Sequence, residues 1–162
     1  MKASAKIKKV VHPLEPIYDE QSKVLILGSF PSVISRKDMM YYANKTNRFW
    51  SVMGALFEEE ITDHVSFCHK YHLAMWDVIH SCTIEGSSDS SIKNVIPNDI
   101  AGLVQKTHIE LIVTTGKKAA TLYEQYIHLD LPHISLPSTS AANAKIRLDE
   151  LVYEYRKIKE VL

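Results

Sequence analysis

The sequence predicts an α/β fold, a three-layer α/β/α sandwich around a short, mainly parallel four-stranded sheet. Three observations point there. Short continuous apolar runs recur, segments of helical period lie between them, and each run gives way to a loop rich in Gly, Ser, Thr or Asn. An apolar run too short for a helix and closed by turn residues is a strand buried on both faces, which belongs to a parallel sheet covered by helices.

Taken in order, residues 1–22 mix lysines, prolines and acids and read as an N-terminal arm, with the lysines at positions 2, 6, 8 and 9 free to meet phosphate. The domain proper is expected over residues 23–162. Val24-Leu25-Ile26-Leu27 ending in Gly28 is the first strand. Further strands are expected over 73–79 and 109–115, with a weaker one over 133–136. Helical periodicity spans 49–60, 63–72, 97–107 and 117–127, and runs from Ser140 to the C-terminus. In that last segment Ile146, Leu148, Leu151, Val152 and Tyr155 form one apolar stripe. Asp63 is a reasonable helix start, as is Pro97 or Asn98.

Composition narrows the function classes. At 162 residues the chain is the size of one domain, large enough to bury roughly two-thirds of the surface of its unfolded form. Nineteen basic residues balance nineteen acidic ones, so any polyanion must be held by a local patch rather than by a global field. Two cysteines, Cys68 and Cys82, are too few for a disulfide framework or a four-cysteine iron–sulfur cluster. No apolar run approaches the ~20 residues of a membrane span, and the lysine-rich start lacks a signal peptide's apolar region. A cytoplasmic protein with no membrane partner is the expectation.

Ligands of such sheets bind beyond the carboxyl ends of the strands. That rule gathers residues 28–48, 80–96, 114–117 and 137–140 in one place. Known phosphate and nucleophile motifs do not fit there. A Walker loop ending at Gly116-Lys117 would need glycine at 111 and a hydroxyl at 118, where Leu111 and Lys118 stand. A nucleophile elbow at Gly28 would need serine and glycine where Phe30 and Ser32 stand, and the dinucleotide fingerprint is missing. His64, Cys68 and His72 share a predicted helix face but lack a fourth ligand, so neither metal nor cofactor is expected.

Gly28-Ser29-Phe30-Pro31-Ser32, then Tyr41-Tyr42-Ala43-Asn44-Lys45-Thr46-Asn47-Arg48-Phe49-Trp50, and Leu136-Pro137-Ser138-Thr139-Ser140-Ala141-Ala142-Asn143-Ala144 resemble the motifs of the uracil-DNA glycosylase superfamily. Within it they are most similar to the hypoxanthine-DNA (deoxyinosine) glycosylase branch. Trp76-Asp77-Val78-Ile79 followed by Ser87-Ser88-Asp89-Ser90-Ser91-Ile92 is similar to that branch too. Mismatch-specific uracil glycosylases share the Asn-Arg-Phe-Trp ending but carry asparagine where this chain has Ser29. The resemblance covers residues 23–158.

It implies a monofunctional DNA glycosylase that releases hypoxanthine, with uracil as a secondary substrate. It also implies DNA containing deaminated bases as partner, no metal or cofactor, and action as a monomer. The catalytic amide of the branch falls on Asn44. The base pocket is expected from Gly28, Ser29, Phe30 as aromatic floor, Pro31, Ser32, Tyr42 and Asn47. DNA contacts are expected from Thr115, Gly116, Lys117, Ser138, Thr139, Ser140 and Asn143, the serine–threonine run opening the last helix. Asp77 reads as a loop-holding acceptor. The alternative is a non-catalytic nucleic-acid or nucleotide-binding module on the same scaffold.

Overall fold

A computed structural model describes residues 7–162, so the lysines at positions 2 and 6 lie outside the described residues. Strand β1 (Ile7–Val11) opens the chain, followed by β2 (Val24–Gly28), helices α1 (Val33–Asp38), α2 (Phe49–Phe57) and α3 (His64–Lys70), and strands β3 (Leu73–Asp77), β4 (Ile79–Glu85) and β5 (Lys93–Pro97). Helix α4 (Ile100–Gln105), β6 (Leu111–Thr115), α5 (Lys117–Tyr126), β7 (His133–Leu136) and α6 (Leu148–Tyr155) complete it, with a closing 3₁₀ turn over Arg156–Val161.

The expected parallel sheet is present in the order β3-β2-β6-β7. Its central strand β2 is buried along its whole length, and alternation sends its residues to two different cores. Val24 and Ile26 pack with Phe49, Val52 and Met53 of α2, Phe67 of α3, and Leu151 and Tyr155 of α6. Leu25 and Leu27 pack with Ile100 and Leu103 of α4 and Leu122 and Tyr123 of α5. These are the outer layers of the sandwich.

Four features differ from the sequence reading. Residues 7–22 are not a solvated arm: β1 pairs antiparallel with β4, Ile17 bridges Met75, and Leu14 is buried. The chain crosses at Val78 from the parallel sheet into a second, antiparallel one ordered β1-β4-β5, so the expected strand 73–79 is two strands and the expected loop 80–96 is largely a hairpin. The buried Asn98 amide braces that crossing by donating to the carbonyls of Asp77 and Ile79. The last helix begins at Leu148, not Ser140, because Arg48 draws the carbonyls of residues 139–146 to itself, and residues bent around one guanidinium cannot also form a helical ladder. Finally, α4 is capped by Asp99, which accepts from the Gly102 amide, rather than by Pro97 or Asn98. Asp63 caps α3 as expected.

Candidate active site

The carboxyl ends of β2, β3 and β6 and the loop after β7 surround one cavity of about 240 Å³. That is below the roughly 300–1,000 Å³ of drug-sized ligand sites and suits a single heterocycle. Twelve of the residues singled out in the sequence line it: Gly28 to Ser32, Tyr42, Asn44, Asn47, Thr115, and Ser138 to Ser140. Gly116, Lys117 and Asn143 do not. Gly116 adopts φ +92° and lies against Ser138, where a Cβ would sit 3.2 Å from the serine Cβ, so it lets the loops after β6 and β7 close together. Lys117 is exposed on the first turn of α5. Asn143 donates to the Ser138 carbonyl at 3.0 Å and braces the loop.

The first wall is the turn after β2. Ser32 caps α1 by accepting from the Ser35 amide, and Ser29 donates to Asp89 across the cavity mouth at 3.2 Å. Phe30 has Arg36 over its ring at 5.4 Å and the edge of His12 at 5.9 Å. The second wall runs from Tyr41 to Asn47. Tyr42 takes φ 53°, which costs a non-glycine residue energy; it is held there by stacking on Phe49 at 4.1 Å and by a 2.8 Å hydrogen bond to Thr115 Oγ1. Burial, then the charge of Asp77, pushes its phenol well above the ordinary range, so it stays neutral.

Two amides face the space. Asn44 Oδ1 accepts from the amide and the hydroxyl of Thr46, at 3.0 and 2.8 Å, in a local turn. Asn47 Oδ1 accepts from the Phe49 amide at 2.9 Å and from Thr139 Oγ1 at 2.8 Å. Each oxygen is occupied, so each residue presents its NH₂ as a donor. Arg48 completes the frame from behind: its guanidinium donates to the carbonyls of Thr139, Ser140, Asn143 and Ile146. It holds the loop after β7 rather than standing free for phosphate.

Sequence reasoning missed part of the lining. Tyr41, Ser35, Ser87, Asp89 and Asp77 all contribute. Asp89 is an exposed residue at the mouth, and desolvation of its carboxyl against the lining raises it above the usual range. Asp77 was legible only as a polar end to a buried strand. Its partner His12, 2.7 Å away, comes from a segment 65 residues earlier, and no local pattern announces that contact. Among the described residues no group of three or more His, Cys, Asp and Glu side chains is placed to hold a metal. His64 stacks on Trp50 at 3.8 Å, while Cys68 is buried against Met75 with its thiol pushed up to about 12 by desolvation.

Comparison with known proteins bears on the chain as a whole. Residues 15–156 match the family model described as the uracil DNA glycosylase superfamily. A protein named hypoxanthine DNA glycosylase from Methanosarcina acetivorans is 33% identical over 136 residues, which cover 80% of this chain and 85% of that one. Another of that name, from Methanosarcina barkeri, is 28% identical over 110 residues, covering 64% and 70% respectively. The NMR structure of a candidate uracil DNA glycosylase from Methanosarcina acetivorans superposes with a TM-score of 0.75 at 30% identity, covering 90% of this chain and 96% of that one.

Proposed function

Because the chain belongs to the uracil DNA glycosylase superfamily, we infer that it is a monofunctional DNA glycosylase that excises hypoxanthine from DNA in base excision repair, with uracil as a secondary substrate. The observation that carries this reading is the cavity itself: room for one heterocycle, aromatic and polar walls, and two amide donors fixed by their own hydrogen bonds. The names of the relatives supply the base.

A base inside a duplex must leave the stack before its glycosidic bond can be reached. In this reading the flipped base enters between Phe30 and the Tyr42 segment. The bond from C1′ to the base then breaks, with positive charge developing on the sugar and negative charge on the base, and water adds at C1′ through its oxygen while the proton it loses neutralises the departing base. Donors already aimed at the leaving base, or at that water, stabilise the transition state without reorganising. Asn44 is assigned this role, with its NH₂ free and its carbonyl fixed by Thr46. A second reading has its own support: Asn47 is anchored across the cavity by Thr139 and is therefore the more preorganised amide.

The DNA backbone is proposed to pass over the loop 138–143 and the start of α5, where Ser138, Ser140 and Lys117 are available. The protein is read as a cytoplasmic monomer; among the described residues no helix is long and apolar enough to cross a membrane. Incubation with an inosine-containing duplex, followed by alkali, tests the activity. A strand break at the inosine supports it, whereas tight binding without cleavage returns the protein to the class of binding modules.

A further inference from the structure

A buried carboxyl group paired with a histidine lines the cavity. Asp77 ends β3, is 5% exposed, and lines the cavity. Its Oδ2 lies 2.7 Å from His12 Nε2. Its Oδ1 stands over Gly28, 2.5 Å from where a Cβ would be, and among the described residues no hydrogen-bond donor reaches it. That oxygen opens to the cavity, and with no protein donor on it, it is an acceptor available to whatever fills the space. Glycine at position 28 is what lets that oxygen occupy the cavity.

The histidine fixes the proton count. His12 Nδ1 faces the Leu14 carbonyl at 3.0 Å, so it carries a hydrogen. The 2.7 Å contact between Nε2 and Oδ2 then requires one proton between them. Whichever atom holds it, the pair has no net charge, and Oδ1 remains an acceptor.

We propose that Asp77 reads the ring N–H that deamination creates on a base, and that His12 is the positioning residue that holds this carboxyl in place and leaves the pair without net charge. The inference rests on the glycosylase reading and deepens it. Adenine N1 and cytosine N3 bear lone pairs; in hypoxanthine and uracil the same ring positions bear hydrogen. An acceptor in the cavity lining takes a hydrogen bond from the deaminated ring and repels the unmodified one. It does not separate hypoxanthine from guanine, which also carries N1–H. His12 matters for the second half of the reaction: a bare carboxylate would oppose the negative charge arriving on the leaving base, and the shared proton removes that opposition. His12 lies on the segment just before the family match, which starts at residue 15.

The test measures single-turnover excision from inosine and deoxyuridine duplexes, alongside thermal melts, for the wild type, Asp77→Leu, Asp77→Asn, His12→Ala and the double variant His12→Ala/Asp77→Asn. Asp77→Leu is expected to lose on the order of 10–100-fold on both bases, as for a buried donor on the base left without its acceptor. Asp77→Asn should stay within about tenfold of wild type, because its amide can donate to the neutral Nε2 while its carbonyl still faces the base. His12→Ala should fall by about as much as Asp77→Leu, and the double variant should recover most of that loss because its amide needs no neutralising partner. A purely structural His12 gives no such rescue: equal rates for His12→Ala and the double variant overturn the proposal even if Asp77→Leu does not fold. So does a folded Asp77→Leu with the wild-type rate. If the wild type itself releases no base, the glycosylase reading fails first and takes this inference with it.

Discussion

Thr139 Oγ1 donates a 2.8 Å hydrogen bond to Asn47 Oδ1, joining the loop after β7 to the turn before α2. The same oxygen takes the amide of Phe49, the first residue of α2, so it serves both the start of that helix and the tie across the cavity. The Asn44 side chain, by contrast, is held by the nearby Thr46 alone among the described residues. The two asparagines therefore differ in what their loss should do.

Asn44→Ala should lower the single-turnover rate on inosine DNA by on the order of 100–1,000-fold while leaving the melting temperature and most DNA affinity unchanged, since an amide acting on developing charge contributes chiefly to the transition state. Asn47→Ala should cost about 1 kcal/mol of stability, because the Phe49 amide and the Thr139 hydroxyl lose their acceptor. An active Asn44→Ala beside a dead, well-folded Asn47→Ala moves the catalytic role to the anchored amide.

Arg48→Ala should destabilise the protein by about 2–4 kcal/mol, because four carbonyls between Thr139 and Ile146 lose a charged donor. Arg48→Lys should restore less than half of that, since an ammonium lacks the planar fork that reaches several acceptors at once. Paired melts of the two variants decide it; an Arg48→Ala protein that melts with the wild type removes the guanidinium from the loop's support.

How much of this was legible beforehand follows from where each signal lies. Val24-Leu25-Ile26-Leu27 announces a buried central strand because burial on both faces leaves no polar alternation, and the loops at its end were placed correctly by topology alone. The antiparallel sheet was hidden because β4 follows β3 after one residue, so two strands in different sheets read as one apolar run. Ser138-Thr139-Ser140 looked like a helix start by composition; the Arg48 contacts that keep residues 139–146 irregular span more than 90 positions of chain. His12 and Asp77 were separated in the same way. Local chemistry identified the walls of the cavity, and only tertiary contact revealed the partner of Asp77 in its lining.

Salt should weaken DNA binding, but gently. Lys45, Lys117 and Lys145 are exposed and lie within a few residues of the cavity lining, while Arg48 is committed to backbone carbonyls. Neutralising about three phosphates gives a slope of log K against log salt of about −3, and replacing one of these lysines by alanine should reduce its magnitude by about 1. A slope near zero for the wild type points to a free nucleoside rather than DNA.

Borohydride should trap no covalent adduct with inosine DNA. A bifunctional glycosylase attacks C1′ with a lysine amine, and no lysine is among the residues lining the cavity. An adduct mapped to Lys45, which is exposed beside Asn44, contradicts hydrolysis by water.

The most direct measurement is the identity of the released product. A duplex carrying a single deoxyinosine is incubated with the wild-type protein under single-turnover conditions, and the small-molecule fraction is analysed by mass spectrometry beside an identical duplex carrying deoxyadenosine. The account predicts free hypoxanthine from the first, an intact abasic strand left behind, and no adenine from the second. Stoichiometric DNA binding with no base released from either duplex would contradict it.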